Sequence, residues 1–298
     1  MAIAFQSTLE CAPQPQVRDA TKQGKAAQNK PKRHKGTYTE RKEQANALRE
    51  EGSQQSHPLY TRICLPKNWG RRQAKLMGIY EQKIRNAYNF VMDPKRYVNP
   101  TTAHYSAERF ETAQGDFCGV HFETVQFPGV KSLQQVYDAA VYYLTNMEIS
   151  ITERLGHITV RDDYETIDGS VYNARVLSTN QHNVVIETSS LLFAKLDVDA
   201  GYGLVAIDFV DEDELYPYSP AKRVRKDISA AAVFVINKSL CGGDDGELIV
   251  TMYRAAYLKI HRPQFSVSDG ALQELSNEIM AWGDVMLKTI RSALYGLP

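Results

Sequence analysis

A run of strand-like segments with no helix between most of them is the feature that most constrains this chain. Six stretches rich in β-branched and aromatic residues follow one another, separated by turn-forming clusters. They are 157–164, 170–178, 182–196, 203–210, 229–238 and 247–258. Parallel strands need a long crossover, usually a helix, whereas antiparallel strands need only a short turn. The pattern therefore predicts an antiparallel meander.

Helical patterns lie on both sides of this meander. Apolar residues recur every three to four positions in 67–92, 132–148 and 268–294, and the stretch 117–127 between the first two reads as a strand. The last helix has the widest apolar face, formed by Leu272, Leu275, Ile279, Met280, Trp282, Val285, Met286, Ile290 and Leu294. A surface helix buries such a face against another element. We predict an α+β domain over residues 58–298, with the last helix across the open face of the sheet.

The first 57 residues differ in composition and charge from the rest. The net charge of the chain is zero, but residues 18–49 contain ten Lys and Arg against three acids. Large apolar residues are scarce there, so the segment is predicted to be a disordered head with one short helix. Its basic candidates for contact with nucleic acid or an import receptor are Lys30, Lys32, Arg33, Lys35, Arg41 and Lys42. A solubilising tail with no specific role is the third interpretation.

The short helix of the head, 37–51, resembles a basic region that leads into a leucine zipper. The heptad stops at once, since the position seven residues after Leu48 is Gln55, and Gly52 and Pro58 interrupt the helix. A coiled coil needs three or four sustained heptads. The sequence therefore predicts a truncated zipper, which argues against a coiled-coil dimer.

No catalytic set, metal-ligand spacing or phosphate-binding loop was recognised in the sequence. The four cysteines form no Cys-x-x-Cys pair, and the histidines form no i, i+4 pair. The acidic run 211–214 is interpreted as a solvated loop, and 242–246 as a hairpin turn. We therefore predict no enzymatic activity, no cofactor and no metal. Without a signal peptide or membrane span, we expect an intracellular protein, nuclear or cytoplasmic, with reduced thiols.

Three residues of the last helix are candidates for lining a ligand pocket. Met280, Trp282 and Met286 combine flexible thioethers with a large aromatic ring, which suits an adaptable apolar cavity. The same stripe is also compatible with ordinary core packing.

Several stretches carry a resemblance to a known family. They are Arg109–Asp116, Val130–Asp138, Asn146–Ile151, Gly156–Tyr164 and the segment from Arg262-Pro263 to Val285. The sequence resembles the mating-specific proteins of oomycetes, in which a basic, zipper-like segment precedes a START-like body. The order of elements likewise resembles the helix-grip arrangement of START domains, in which a curved antiparallel sheet wraps around the last helix. The resemblance implies a bound lipid or other apolar ligand and supplies no catalytic residues.

Three functions are compatible with these features. The first is a non-enzymatic module that binds a lipid or other apolar molecule and is localised by its basic head. The second is a transcription-related regulator that contacts nucleic acid through the head and uses the body as a sensing or partner domain. The third is an enzyme that uses the same cavity, which buried titratable groups would favour.

Overall fold

The computed structural model describes residues 57–93, 103–237 and 247–296. The strands are β1 (Cys64–Leu65), β2 (His104–Glu111), β3 (Phe117–Pro128), β4 (Ile158–Ile167), β5 (Val171–Thr179), β6 (Val185–Asp197), β7 (Tyr202–Phe209), β8 (Glu212–Asp213), β9 (Val224–Ile236) and β10 (Ile249–Ile260). The helices are α1 (Trp69–Val91), α2 (Leu133–Thr145), α3 (Met147–Leu155), α4 (Asp269–Asn277) and α5 (Ala281–Tyr295).

Eight of the strands form one curved sheet in the order β2-β3-β10-β9-β7-β6-β5-β4. Neighbours along this order pair antiparallel, and β6 and β9 also meet in a short parallel pairing. The six predicted strands correspond to β4, β5, β6, β7, β9 and β10, which confirms the antiparallel meander. Strands β1 and β8 form a separate two-stranded parallel sheet.

Both faces of the large sheet are buried. Helix α1 covers one face, where it packs on Phe122, Leu191, Phe193, Leu204, Val233 and Tyr257. The opposite face, here called the grip face, carries Phe127, Leu192, Val205, Phe234 and Met252, which pack against α2 and α5. Successive strand residues point to opposite faces, so one strand supplies both clusters. The fold class is therefore the predicted α+β, START-like helix-grip arrangement, with its last helix against the sheet.

Two predicted helices begin at side-chain caps. The Oγ atom of Ser132 accepts a hydrogen bond from the backbone N–H of Gln135 at 3.1 Å, and Ser268 caps α4 through the N–H of Ala271 at 3.2 Å. Such caps satisfy donors that the first turn of a helix leaves free. The prediction of one helix over 268–294 is wrong, because Glu278 ends α4 and Ala281 begins α5.

Besides the two-residue strands β1 and β8, the sequence analysis did not predict strand β2 and helix α3. Strand β2 lies at the edge of the sheet, and its residues alternate between half-buried and exposed positions. An edge strand buries little apolar surface, so its sequence contains few large apolar residues in alternation. Helix α3 contains a single buried residue, Ile151. Its sequence therefore also lacks a clear helical spacing of apolar residues.

The acidic run 211–214 contradicts the prediction of a solvated loop at two of its four positions. Asp213 accepts a bidentate pair from Arg72, at 2.8 and 2.9 Å, and both side chains are almost completely buried. Asp211 accepts hydrogen bonds from the Tyr60 hydroxyl and the Ile63 N–H, each at 2.7 Å. The alternating residues Glu212 and Glu214 are exposed. This run therefore attaches the segment before α1 to the sheet.

The structure describes two of the four cysteines and none of the basic head. Cys64 and Cys118 are free, whereas Cys11 and Cys241 lie outside the described residues. The head with its short helix, the six basic candidates and the hairpin turn at 242–246 also lie outside them. Among the described residues, no helix is long and apolar enough to cross a membrane.

Candidate ligand-binding site between the sheet and the C-terminal helices

A buried lysine marks the space between the grip face and the C-terminal helices. Lys226 lies near the start of β9, pairs with Ile260 of β10, and is 2 % exposed. Its Nζ atom lies 4.2 Å from the centroid of the Trp282 ring on α5. Within the described part of the chain, the ammonium makes no hydrogen bond and no ion pair with a carboxylate. A buried polar group without such a partner requires an explanation.

Burial changes the proton affinity of this lysine. It lowers the pKa of Lys226 from 10.5 to about 7, and the carboxylate of Glu278 only partly opposes that shift. The ring of Trp282 attracts a cation through its quadrupole but offers no hydrogen-bond acceptor. The ammonium form is therefore costly in this position and would gain from an anionic partner.

A second buried polar group lies on the strand that pairs with the start of β9. Glu187 of β6 pairs with Arg225 of β9 in parallel register, and the alternation along each strand places Thr188 and Lys226 on the grip face. The hydroxyl of Thr188 is buried and has no hydrogen-bond partner. The ammonium of Lys226 and the hydroxyl of Thr188 are both donors of the kind that suits a carboxylate or phosphate oxygen.

The main chain around Trp282 is held from two sides. The Tyr143 hydroxyl of α2 donates to the Trp282 carbonyl at 2.8 Å, and the Arg254 Nη1 donates to the Gly283 carbonyl at 2.9 Å. Both donors are buried. The ring of Trp282 is thus fixed above Lys226 by contacts to the sheet and to α2.

Arg254 is itself neutralised on the grip face. Its Nη2 atom donates to Glu123 at 2.6 Å and lies 3.4 Å from Nε2 of His121. Burial, reinforced by the charge of Arg254, lowers the pKa of His121 to about 3, so this histidine is neutral at pH 7. In contrast to Lys226, Arg254 has a carboxylate partner.

The three predicted pocket residues are buried but do not lie in one apolar cluster. Met280 packs with Leu275 and Ile279, Trp282 packs with Ile151 and Val176, and Met286 lies in the large cluster of the grip face. Of the three, Trp282 contacts the buried lysine. The pocket-lining role of the three residues stays a prediction, and the sequence analysis did not include Lys226.

Lys226 was missed because the predicted strand began at residue 229. Strand β9 starts at Val224, which places Val224, Lys226 and Ile228 on one face. A lysine between two apolar residues at i−2 and i+2 is a usable signal, since such alternation predicts that all three side chains point the same way.

A separate cleft of about 260 Å³ lies on the α1 side of the sheet, near β8. Its lining includes Glu187, Asp211, Asp213, Tyr216 and Arg225. Most of these charges have partners, since Asp213 binds Arg72 and Arg225 binds Asp227 at 2.6 Å. The cleft is therefore a weaker candidate for a binding site than the surroundings of Lys226.

Solved structures of known proteins are similar to parts of this chain. Human STARD10 matches with a TM-score of 0.39 and 9 % identity, over 71 % of this chain and 80 % of that chain. The lipid transfer and protein localization domain of human StarD13 matches with a TM-score of 0.37 and 13 % identity, over 64 % of this chain and 90 % of that chain. No family model and no curated protein match the chain. The resemblance to the oomycete mating-specific proteins remains a prediction.

Proposed function

We propose that this protein binds an apolar molecule with an anionic group, such as a long-chain carboxylate, between the grip face and helices α4 and α5. The observation that carries the proposal is the Lys226 ammonium, which is buried beneath Trp282 without a hydrogen-bond acceptor. An anion placed there would accept hydrogen bonds from Lys226 and Thr188. Charge-assisted hydrogen bonds of this kind contribute about 1.5–3 kcal/mol each.

The apolar part of such a ligand would lie along the last two helices. Met280 and Met286 are unbranched and polarisable, so their side chains adjust to an irregular guest at little cost. The interruption between α4 and α5, at residues 278–280, lies directly before Trp282 and includes Met280. In this proposal Met280, Trp282 and Met286 contact the ligand, and Lys226 fixes its orientation.

The test compares two probes that differ only in their polar group. Palmitate and 1-hexadecanol are titrated into the delipidated full chain, with Trp fluorescence and native mass spectrometry as readouts. We expect palmitate to bind at least tenfold more tightly, and Lys226→Met to abolish this preference. Lys288→Met serves as the control, since Lys288 is exposed on α5 and its replacement should leave both affinities unchanged.

Two outcomes would contradict the binding proposal. Equal affinity for the two probes, or a preference that survives in Lys226→Met, would show that Lys226 is not the anion partner. A borohydride-trapped aldehyde adduct that forms on the wild type at pH 7 and is lost in Lys226→Met would instead support an enzyme. A lysine with a low pKa forms imines with carbonyl compounds, and buried titratable groups concentrate at active sites.

The basic head is proposed as a localisation segment, as the excess positive charge of residues 18–49 suggests. Its alternative role, contact with nucleic acid in a transcription-related regulator, has a separate test. Replacing Lys30, Lys32, Arg33 and Lys35 by Gln in the full chain should abolish salt-dependent binding to duplex DNA, because such binding comes from released counterions. Palmitate binding should be unchanged. If the full chain binds no DNA at low salt, the alternative fails.

A further inference from the structure

A histidine and two glutamates meet where α4 approaches the start of β4. His157 follows Gly156, the residue that ends α3, and is 1 % exposed. Its Nε2 atom lies 3.1 Å from Oε2 of Glu278 and 3.7 Å from Oε1 of Glu274. The two glutamates are four residues apart on α4 and its C-cap, so their side chains project from one face of the helix.

The opposite nitrogen of His157 has a partner within the sheet. Nδ1 lies 3.2 Å from the Ser178 hydroxyl, which lies 3.0 Å from the hydroxyl of Thr159. When Nδ1 donates its proton to Ser178, the lone pair of Nε2 points at the two carboxylates. Histidines that bind metals are usually oriented in this way by a hydrogen bond from their second nitrogen.

Two buried atoms of this cluster have no hydrogen-bond partner. Nε2 of His157 forms no aligned hydrogen bond despite its short distance to Glu278, and Oε2 of Glu274 is also without a partner. Burial, together with the neighbouring charge of Glu274, raises the pKa of Glu278, while His157 and Lys226 oppose this shift. Two carboxylates this close are stabilised by a proton or a cation between them.

The separations fit a metal ion. The three ligand atoms lie within 4.8 Å of one another. Tetrahedral zinc with bonds of about 2.0–2.2 Å to nitrogen and oxygen places its ligands roughly 3.3–3.6 Å apart. The two distances from Nε2 fall on either side of this range. Small rotations of the glutamate side chains would suffice to equalise them.

We propose that His157, Glu274 and Glu278 bind a divalent transition-metal ion, with Zn²⁺ as the best match to one nitrogen and two oxygen ligands. Three protein ligands leave a fourth position for water or another small ligand. The ion would join α4 to the end of the β4–β5 hairpin and compensate the two carboxylates. Glu278 and Lys226 influence each other's charge, but the two proposals rest on different ligand groups and are tested by different variants, so either can fail without the other.

The experiment is a titration of the full, untagged, chelator-treated chain with Zn²⁺ by calorimetry, and with Co²⁺ by visible absorption. We expect a bound ion in a tetrahedral cobalt environment and a higher melting temperature with zinc. Glu278→Gln and Glu274→Gln should each weaken this binding at least tenfold, since glutamine keeps the shape and loses the charge. Glu153→Gln, at an exposed position of α3, should bind like the wild type.

The variants also separate metal binding from folding. If a proton alone holds the cluster together, zinc will not raise the melting temperature, and Glu278→Gln will be at least as stable as the wild type in the presence of chelator. Zinc binding that is unaffected by both glutamine variants would place the ion elsewhere, for example on other cysteines and histidines. Either result would overturn the proposed site.

Discussion

Replacing Lys226 by Met is expected to make this protein more stable at pH 6, by roughly 3–5 kcal/mol. Burial lowers the pKa of this lysine from 10.5 to about 7, and each pKa unit corresponds to about 1.4 kcal/mol. Methionine fills a similar volume without a charge. A residue whose removal stabilises the fold is typical of a functional site, where stability is lost for binding or catalysis.

The stability gained by Lys226→Met should decrease as the pH rises. Below about pH 7 the lysine is charged in both the folded and the unfolded chain, and its full destabilisation is present. Between pH 7 and the unfolded pKa, the unfolded chain binds more protons, so the stability of the wild type rises with pH. The advantage of Lys226→Met should therefore shrink between pH 6 and pH 10.

Urea unfolding at pH 6, 8 and 10 measures this difference in free energy. Lys226→Arg keeps the charge and should be no more stable than the wild type. Lys288→Met should change the free energy of unfolding by less than about 0.5 kcal/mol, because the Lys288 side chain is exposed. A Lys226→Met variant that is less stable than the wild type at pH 6 would mean that the ammonium is well compensated. Lys226 would then need no anionic ligand to compensate its charge.

Replacing Asp208 by Asn is expected to destabilise the fold by about 3–5 kcal/mol. The carboxylate is completely buried on β7, where it pairs with Lys83 of α1 and accepts hydrogen bonds from the Thr61 N–H at 2.8 Å and the Ser229 hydroxyl at 2.6 Å. Removing one member of a buried ion pair leaves an uncompensated charge, here that of Lys83. Urea unfolding at pH 7 should show this decrease in the free energy of unfolding.

An exposed ion pair in the same region provides the matched control. Glu212 accepts from Arg62 at 2.9 Å, but the two side chains are 66 % and 70 % exposed. Exposed pairs contribute about 0–1 kcal/mol, so Glu212→Gln should have little effect. Equal losses in Asp208→Asn and Glu212→Gln would show that burial does not determine the strength of these pairs.

Local patterns in the sequence determined most of the longer elements of this fold. Period-two alternation and turn residues gave the six strands of the meander, and the spacing of apolar residues gave α1, α2 and the C-terminal helical region. Ser132 and Ser268 cap two of the helices in these regions through their own side chains. These features are local, because side-chain period and capping involve residues a few positions apart.

The burial of charged side chains could not be predicted in the same way. Arg72 and Lys83 fell on the polar side of the α1 pattern, yet their partners Asp213 and Asp208 lie 141 and 125 residues further along the chain. A charged side chain is buried only when the folded chain brings an oppositely charged partner next to it. The spacing of residues within one helix cannot predict such a long-range contact.

The same reason explains which part of the candidate sites came from the sequence. The apolar face of the last helix, and with it Trp282, follows from helical spacing. The tertiary structure alone placed Trp282 over Lys226, and His157 against Glu274 and Glu278 from the other end of the domain. The sequence determined the apolar surfaces, whereas long-range packing decided which polar groups are enclosed between them without partners.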